Sequence, residues 1–277
     1  MKITLITACY NSAATIRTAI ESVLSQKGVD VEYIVIDGGS KDATVDIIKE
    51  YAAKTNDQRL TTNDFTFRWL SERDRGMYDA INKGIKMATG DVIGILNADD
   101  VLATETTLAH VASAFSSHPS SPIPHPSPVE AVYADIRFVR AGDTVEALRA
   151  APTVRYCSAK HWRPWMFRFA AMVPHPSFYV RRECFNQLGN YSLDYRICAD
   201  FELELRFLGI AKLRSRYLSE CVVVMRMGGA STAGWRSNVE INKEDLRALR
   251  SHGIWSCLPL IYMKYLFKIW GFVFKRR

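Results

Sequence analysis

Across residues 1–100, four short apolar runs alternate with three segments of helical period. Ile3–Ala8 reads as a buried strand. Asn11 or Ser12 then caps a helix to about Gln26, with Ile16, Ile20, Val23 and Leu24 on one face. Tyr33–Ile36 is a second strand ending at Asp37, and Asp42 caps the next helix through Val45–Ile48. Phe67–Leu70 is a third strand, Met77–Met87 a third helix, and Val92–Leu96 a fourth strand that ends at Asn97-Ala98-Asp99-Asp100. This alternation predicts an α/β fold with a Rossmann-like, mostly parallel sheet flanked by helices. Such sheets bind ligands beyond the carboxyl ends of their strands.

A chain of 277 residues with 48% apolar content can fill a substantial core, which excludes a disordered protein. The six cysteines form no C-x-x-C pair and no spaced framework, which excludes a zinc cage or a disulfide scaffold. The net charge of +7 raises a nucleic-acid partner, yet outside the tail the basic residues are dispersed, and none is expected. The amino-terminal apolar run breaks at Tyr10-Asn11-Ser12 and does not read as a signal peptide. Residues 116–128, rich in proline and serine, read as a surface loop within one domain over 1–235, between a nucleotide-binding half over 1–100 and an acceptor half over 129–235. The later half shows strands at Ala131–Val139, Pro176–Val180 and Val222–Met227 and a helix from Ala199 to Leu208.

The turns carry the chemistry. Asp37-Gly38-Gly39-Ser40-Lys41-Asp42 follows a buried strand, with glycines that let the backbone approach a ligand. Neither G-x-x-x-x-G-K-[ST] nor G-x-G-x-x-G is present, so a nucleotide has to be held another way. Asp99 and Asp100 supply it. Two adjacent carboxylates repel unless a cation lies beside them, and Mg²⁺ or Mn²⁺ held by one or two carboxylates keeps positions free for phosphates. That reading needs both side chains to face a ligand and not the interior. The alternative is that the pair caps a helix starting near Ala103.

Four motifs then appear in order: Thr7-Ala8-Cys9-Tyr10-Asn11, Asp37-Gly38-Gly39-Ser40-x-Asp42, Asp74-Arg75-Gly76-Met77-Tyr78-Asp79-Ala80-x-Asn82-Lys83-Gly84, and Asn97-Ala98-Asp99-Asp100. Together, over residues 1 to about 230, they make the chain similar to family 2 inverting glycosyltransferases, in particular the bacterial branch that builds capsule, colanic-acid-like and O-antigen polysaccharides. The resemblance implies the GT-A fold and a nucleotide-diphosphate sugar donor. It implies that Thr7, Tyr10 and Asn11 line the base and ribose pocket and that Asp37 lies beside the nucleoside. The segment with Arg75, Gly76, Asn82 and Lys83 would flank the nucleotide, Asp99 would contact the ribose or donor sugar, and Asp100 would bind the metal. Many relatives carry a second aspartate at the position of Gly38 that helps read uracil, so the base is left open.

Inverting transfer needs a carboxylate to take the acceptor's proton. Asp200, at the first turn of a helix whose Leu203, Phe207 and Leu208 face the core, offers it, and the resemblance implies that role. Glu202 and Glu204 read as solvated or paired charges. The resemblance places His175 near the donor phosphates or the acceptor. Trp162, Trp165 and Phe167 read as core residues, with stacking on a sugar or lipid as the alternative.

Residues 236–277 form a helical region. In its last stretch, Leu258–Arg277, Lys264, Lys268, Gly271 and Lys275 share one side and aromatic and aliphatic residues cover the rest. Pro259 and the internal lysines argue against a spanning helix and for one lying on a membrane surface, with packing on protein as the alternative. The expected setting is cytoplasmic and peripheral to the inner face of the cell membrane, with a lipid-linked saccharide as acceptor. The competing classes are a sugar nucleotidyltransferase, which lacks its glycine-rich loop here, and a non-catalytic sugar-nucleotide binder.

Overall fold

The computed structural model describes residues 1–55, 65–116, 128–140, 142–228 and 235–265. Nine strands form one sheet in the order β3-β2-β1-β4-β8-β6-β9-β5, with β7 beside β6. The strands are β1 (Lys2–Cys9), β2 (Asp30–Asp37), β3 (Phe65–Ser71), β4 (Val92–Ile95), β5 (Val101–Leu102), β6 (Ala131–Val139), β7 (Arg155–Cys157), β8 (Tyr179–Arg181) and β9 (Ser215–Arg226). The first four pair in parallel, as the alternation predicts. From β4 onward the sheet is mixed: β8 runs antiparallel to both β4 and β6, β5 antiparallel to β9, and β6 parallel to β9. The expectation of a mostly parallel sheet therefore holds for its first half, and the later half mixes one parallel pair with antiparallel ones.

Helices α1 (Ile16–Leu24), α2 (Thr44–Thr55) and α4 (Thr107–Phe115) cover one face, burying Ile16, Ile20, Ile48, Leu108 and Val111 against β1 and β2. The other face is covered by α3 (Met77–Met87), α7 (Ala199–Glu204), α8 (Trp235–Ser251) and α9 (Leu258–Tyr262), through Ile81, Phe201, Leu203, Leu249 and Ile261. Two short helices, α5 (Val145–Ala150) and α6 (Arg182–Leu188), complete the set. After Glu204 the chain winds into a π-helical turn over Leu205–Ile210, so the helix expected through Leu208 is interrupted midway.

A strand pair lies where the alternative reading placed a helix start. Val101 and Leu102 join β9, and α4 begins only at Thr107, so Asp99 and Asp100 do not cap it. Most of the Pro/Ser-rich loop, residues 117–127, lies outside the described residues, as do 266–277 of the tail. One side of the described carboxyl-terminal region packs into the core through Ala248, Leu249 and Ile261. Lys264, expected on a face turned to lipid headgroups, is buried and bonded to Asp245 of α8 at 2.6 Å. No described helix is long and apolar enough to cross a membrane.

Candidate active site

The four motifs meet at the carboxyl end of the parallel half. After β2 the Asp37 carboxylate is fully buried and accepts the N–H groups of Gly39 and Ser40, both at 3.0 Å, and the Ser71 hydroxyl at 2.7 Å. A carboxylate with this many donors shapes its own loop, so Asp37 fixes the turn after β2. Asn11, at φ +50°, accepts the N–H of Lys41 at 2.9 Å and donates its own to Ser40 Oγ at 2.7 Å, lacing the turn after β1 to the turn after β2. Tyr10 stands 57% exposed above them as an uncovered ring.

Thr7 departs from its expected place. Its side chain is wholly buried, bonded to Tyr33 Oη at 2.9 Å and to the Leu96 carbonyl at 2.8 Å. It ties β1 to its neighbours and lines no pocket, because inward positions of a central strand are covered on both faces.

Gly38 has a local cause. A Cβ there would lie 2.4 Å from Asp74 Oδ2, so the carboxylate after β3 fills the space a side chain at 38 would need. Asp74 Oδ1 in turn accepts the N–H of Gly76, whose φ of +123° opens α3. Arg75 is exposed and paired within its own turn to Asp79 at 3.2 Å.

After β4, Asp99 is partly exposed and Asp100 is not exposed at all. Asp100 Oδ2 accepts from Asn97 Nδ2 at 2.8 Å, while Oδ1 is buried without a partner. Burial first, and then the neighbouring Asp99, push the Asp100 carboxyl well above the usual carboxylate range. The expectation that both carboxylates face a ligand is thus corrected: the turn and β5 draw Asp100 inward, and Asp99 presents the accessible oxygens. Arg226 of β9, which the sequence reading passed over, sits against the pair, donating to the Asp99 carbonyl and to Thr18 Oγ1 at 2.9 Å. Its signal in the sequence is a lone cation ending an apolar strand.

These residues fit an oxygen-preferring divalent cation. An orphaned carboxylate oxygen beside a second carboxylate is an acidic donor set short of positive charge. No three His, Cys, Asp or Glu side chains converge among the described residues. A cation here would take its remaining ligands from phosphates and water.

The polar side chains of α3 are engaged within the protein. Asn82 donates to the Tyr191 carbonyl at 2.9 Å and accepts the Tyr191 N–H at 3.0 Å, which occupies its amide. Lys83 pairs with Glu72 at 2.8 Å. Both side chains make structural ties to the chain laid against the helix. Tyr78, unremarked in the sequence, donates to the Ile197 carbonyl at 2.5 Å and lies 3.1 Å from Asp200 Oδ1. Its ring stacks on Tyr191 at 5.6 Å.

Asp200 is half-buried at the start of α7, and its Oδ2 has no hydrogen-bond partner among the described residues. His175 Nε2 lies 2.7 Å from Tyr191 Oη, and burial holds its imidazole below the usual histidine range. Glu202 is paired as expected, with Arg206 and His252 both at 2.9 Å. Glu204 is not: it is wholly buried, its Oε2 accepting the Val173 N–H at 3.1 Å and its Oε1 without a partner. Trp162 and Phe167 are buried and Trp165 is 60% exposed.

Residues 4–128 match the model of "Glycosyl transferase family 2". The chain is 28% identical over 239 residues to a "PGL/p-HBAD biosynthesis glycosyltransferase" of Mycobacterium bovis, covering 86% of this chain and 80% of that one. It is 40% identical over 100 residues to the Staphylococcus aureus "Poly-beta-1,6-N-acetyl-D-glucosamine synthase", covering 36% of this chain and 22% of the relative. Among solved structures, S. aureus TarS 1-349 superposes with a TM-score of 0.59 at 16% identity, over 90% of this chain and 65% of that one, so the chain spans less than two thirds of its length. The mannosyltransferase PcManGT of Pyrobaculum calidifontis, solved with GDP-Man and Mn²⁺, gives a TM-score of 0.60 at 20% identity over 98% of this chain and 72% of that one. These two likenesses speak to the fold, which is that of the GT-A glycosyltransferases. The strands that carry the acidic turns at this sheet edge lie within the matched residues, so over residues 4–128 the chain is similar to glycosyl transferase family 2.

Proposed function

We propose that the chain is a metal-dependent, inverting glycosyltransferase that moves a sugar from a nucleoside diphosphate to a hydroxyl of a lipid-linked saccharide at a membrane surface. The observation that carries the transfer is Asp200: a half-buried carboxylate with one oxygen held toward Tyr78 and the other uncommitted. Such a group is fixed in direction and free to accept a proton.

The chemistry is a single displacement. The acceptor oxygen attacks the anomeric carbon as its proton passes to Asp200, and the bond to the donor diphosphate breaks with its electron pair leaving on the phosphate oxygen. Asp99 and the orphaned oxygen of Asp100 would hold Mg²⁺ or Mn²⁺, whose charge offsets that of the departing diphosphate. Tyr10, exposed at the rim, would meet the base, and Arg75, exposed although paired with Asp79, would meet the phosphates. A solved fold relative was crystallised with GDP-Man and Mn²⁺ and another with UDP-GlcNAc, which supports this class of donor.

The lipid-linked acceptor rests on the carboxyl-terminal face. Trp255 is 70% exposed, and Tyr262 and Met263 are exposed beside it. Lys243, Arg247 and Arg250 flank a surface cavity of about 570 Å³ with Leu246 and Leu258 in its wall. Aromatics at an acyl boundary next to cations suit an anionic bilayer, which supports a peripheral setting on the cytoplasmic face.

A panel of UDP- and GDP-sugars, assayed for hydrolysis with and without Mn²⁺, tests the donor and the metal together. D200N is expected to lower turnover by about 10²–10⁴-fold while donor affinity is kept. Wild-type turnover in D200N would remove Asp200 as base, and an inactive wild-type chain that still binds a sugar nucleotide would favour the non-catalytic binder.

A further inference from the structure

The segment that leads into α7 is gripped from the carboxyl-terminal region. Glu244 of α8 accepts three consecutive backbone N–H groups: Arg196 at 3.2 Å on Oε1, and Ile197 and Cys198 at 2.9 Å each on Oε2. These donors precede the first turn of a helix that has no side-chain cap of its own, and Cys198 occupies the cap position. Two residues beyond it stands Asp200. From the opposite side Tyr78 holds the Ile197 carbonyl, so the two edges of one peptide segment are fixed by α8 and α3. The same face of α8 adds Ser251 Oγ, 3.1 Å from Tyr195 Oη, and the Ile241 carbonyl, 3.5 Å from Cys198 Sγ.

We infer that Glu244 is a positioning residue for the base: it sets where α7 begins and thereby where the Asp200 carboxylate points. This rests on the reading of Asp200 as base. The physical reason is economy of freedom. Three charge-assisted bonds to successive peptides leave the segment a single arrangement, whereas a loop of this length without them samples several. An error of about 1 Å in a catalytic group costs on the order of 10²-fold in rate. The carboxyl-terminal helices are then part of the catalytic unit and not only an anchor beside it.

The test compares E244A and E244Q with D200N and with the double variant E244A/D200N in the full-length chain. Turnover is measured on the sugar nucleotide that the wild-type chain hydrolyses fastest, and binding is measured with UDP and GDP, each with Mn²⁺. E244A is expected to lose about 10–100-fold in kcat with nucleotide binding held within about twofold. E244Q keeps one acceptor oxygen and is expected to fall between E244A and the wild type. The double variant should be no slower than D200N alone, because Glu244 acts through the residue already lost. If E244A melts below the assay temperature, E244Q decides. Wild-type kcat in the Glu244 variants, nucleotide binding lost in step with kcat, or a further loss on top of D200N would each overturn the inference. An active D200N would instead sink the assignment of the base, an outcome that the same set of proteins reports separately.

Discussion

Glu204 shows how far one side chain can sit from its expected setting. It lies four residues after Asp200, buried among Tyr191 and the chain around Val173, with one oxygen bonded and the other bare. Burial, reinforced by Asp200, raises its carboxyl well above the usual carboxylate range, so the folded state keeps the proton at a pH where the unfolded chain has released it. Stability from this group is full below pH 4.5 and is lost as pH rises through the folded value. His175 works the other way: held below 6.5, it costs stability as pH falls under that value, where only the unfolded state takes up a proton. E204Q keeps an oxygen for the Val173 N–H and removes the titration. Thermal melts from pH 5 to 8 should show a flatter alkaline decline in E204Q than in the wild type. An unchanged slope would mean that Glu204 is ionised and solvated as the sequence implied. Alternating acid and apolar residues on a short helix conceal this, since the π turn that follows moves the burial face.

Helix α3 carries both what the sequence reveals and what it hides. Its bounds, Met77–Met87, follow from period alone, and the strand ends that bear Asp37 and Asp99 follow from apolar runs stopped by acidic turns. Its partners do not. That Tyr78 meets Asp200 and Asn82 meets Tyr191 depends on contacts more than 100 residues away in the chain. The short strands β5 and β7 are hidden for the same reason: two or three residues have no period, and cross-strand pairing alone defines them. Gly84 explains how α3 comes so close to the sheet, since a Cβ there would lie 2.5 Å from Ile6 Cγ2. In G84A either Ile6 changes rotamer or the helix lifts, and with it the Tyr78 contact to the base segment. Overpacking of this kind costs about 1–3 kcal/mol, more than the gain in helix propensity returns. Urea unfolding should show that loss together with a fall in kcat. A G84A protein as stable as the wild type would show that α3 rests more loosely than drawn.

At the scale of the whole molecule, the issue is where the enzyme stops and the anchor starts. The boundary expected at residue 235 divides groups that the fold joins: Glu244 with the segment before α7, His252 with Glu202, and Ile261 with the core under α7. Lys264 belongs on the enzyme side, buried against Asp245 at 2.6 Å, and removing one partner of a buried pair costs about 3–5 kcal/mol. A cut after residue 257 therefore mixes two effects, loss of the proposed membrane contact and lost stability. A cut after Tyr265 separates them, since it keeps Ile261 and Lys264 and removes Lys268, Lys275, Arg276 and Arg277 with the aromatics between them. The chain ending at 265 should melt with the full protein and turn over donor at the same rate in detergent-free buffer, while sedimentation with vesicles rich in anionic lipid falls. The chain ending at 257 should melt lower and lose turnover as well. If the 265 chain still sediments fully with vesicles, the exposed face of α8 and α9, with Trp255, Arg247 and Arg250, is the docking surface, and substitutions K243E, R247E and R250E should then release it. If neither cut nor those charge reversals alters sedimentation, the acceptor does not reach the enzyme by way of this face.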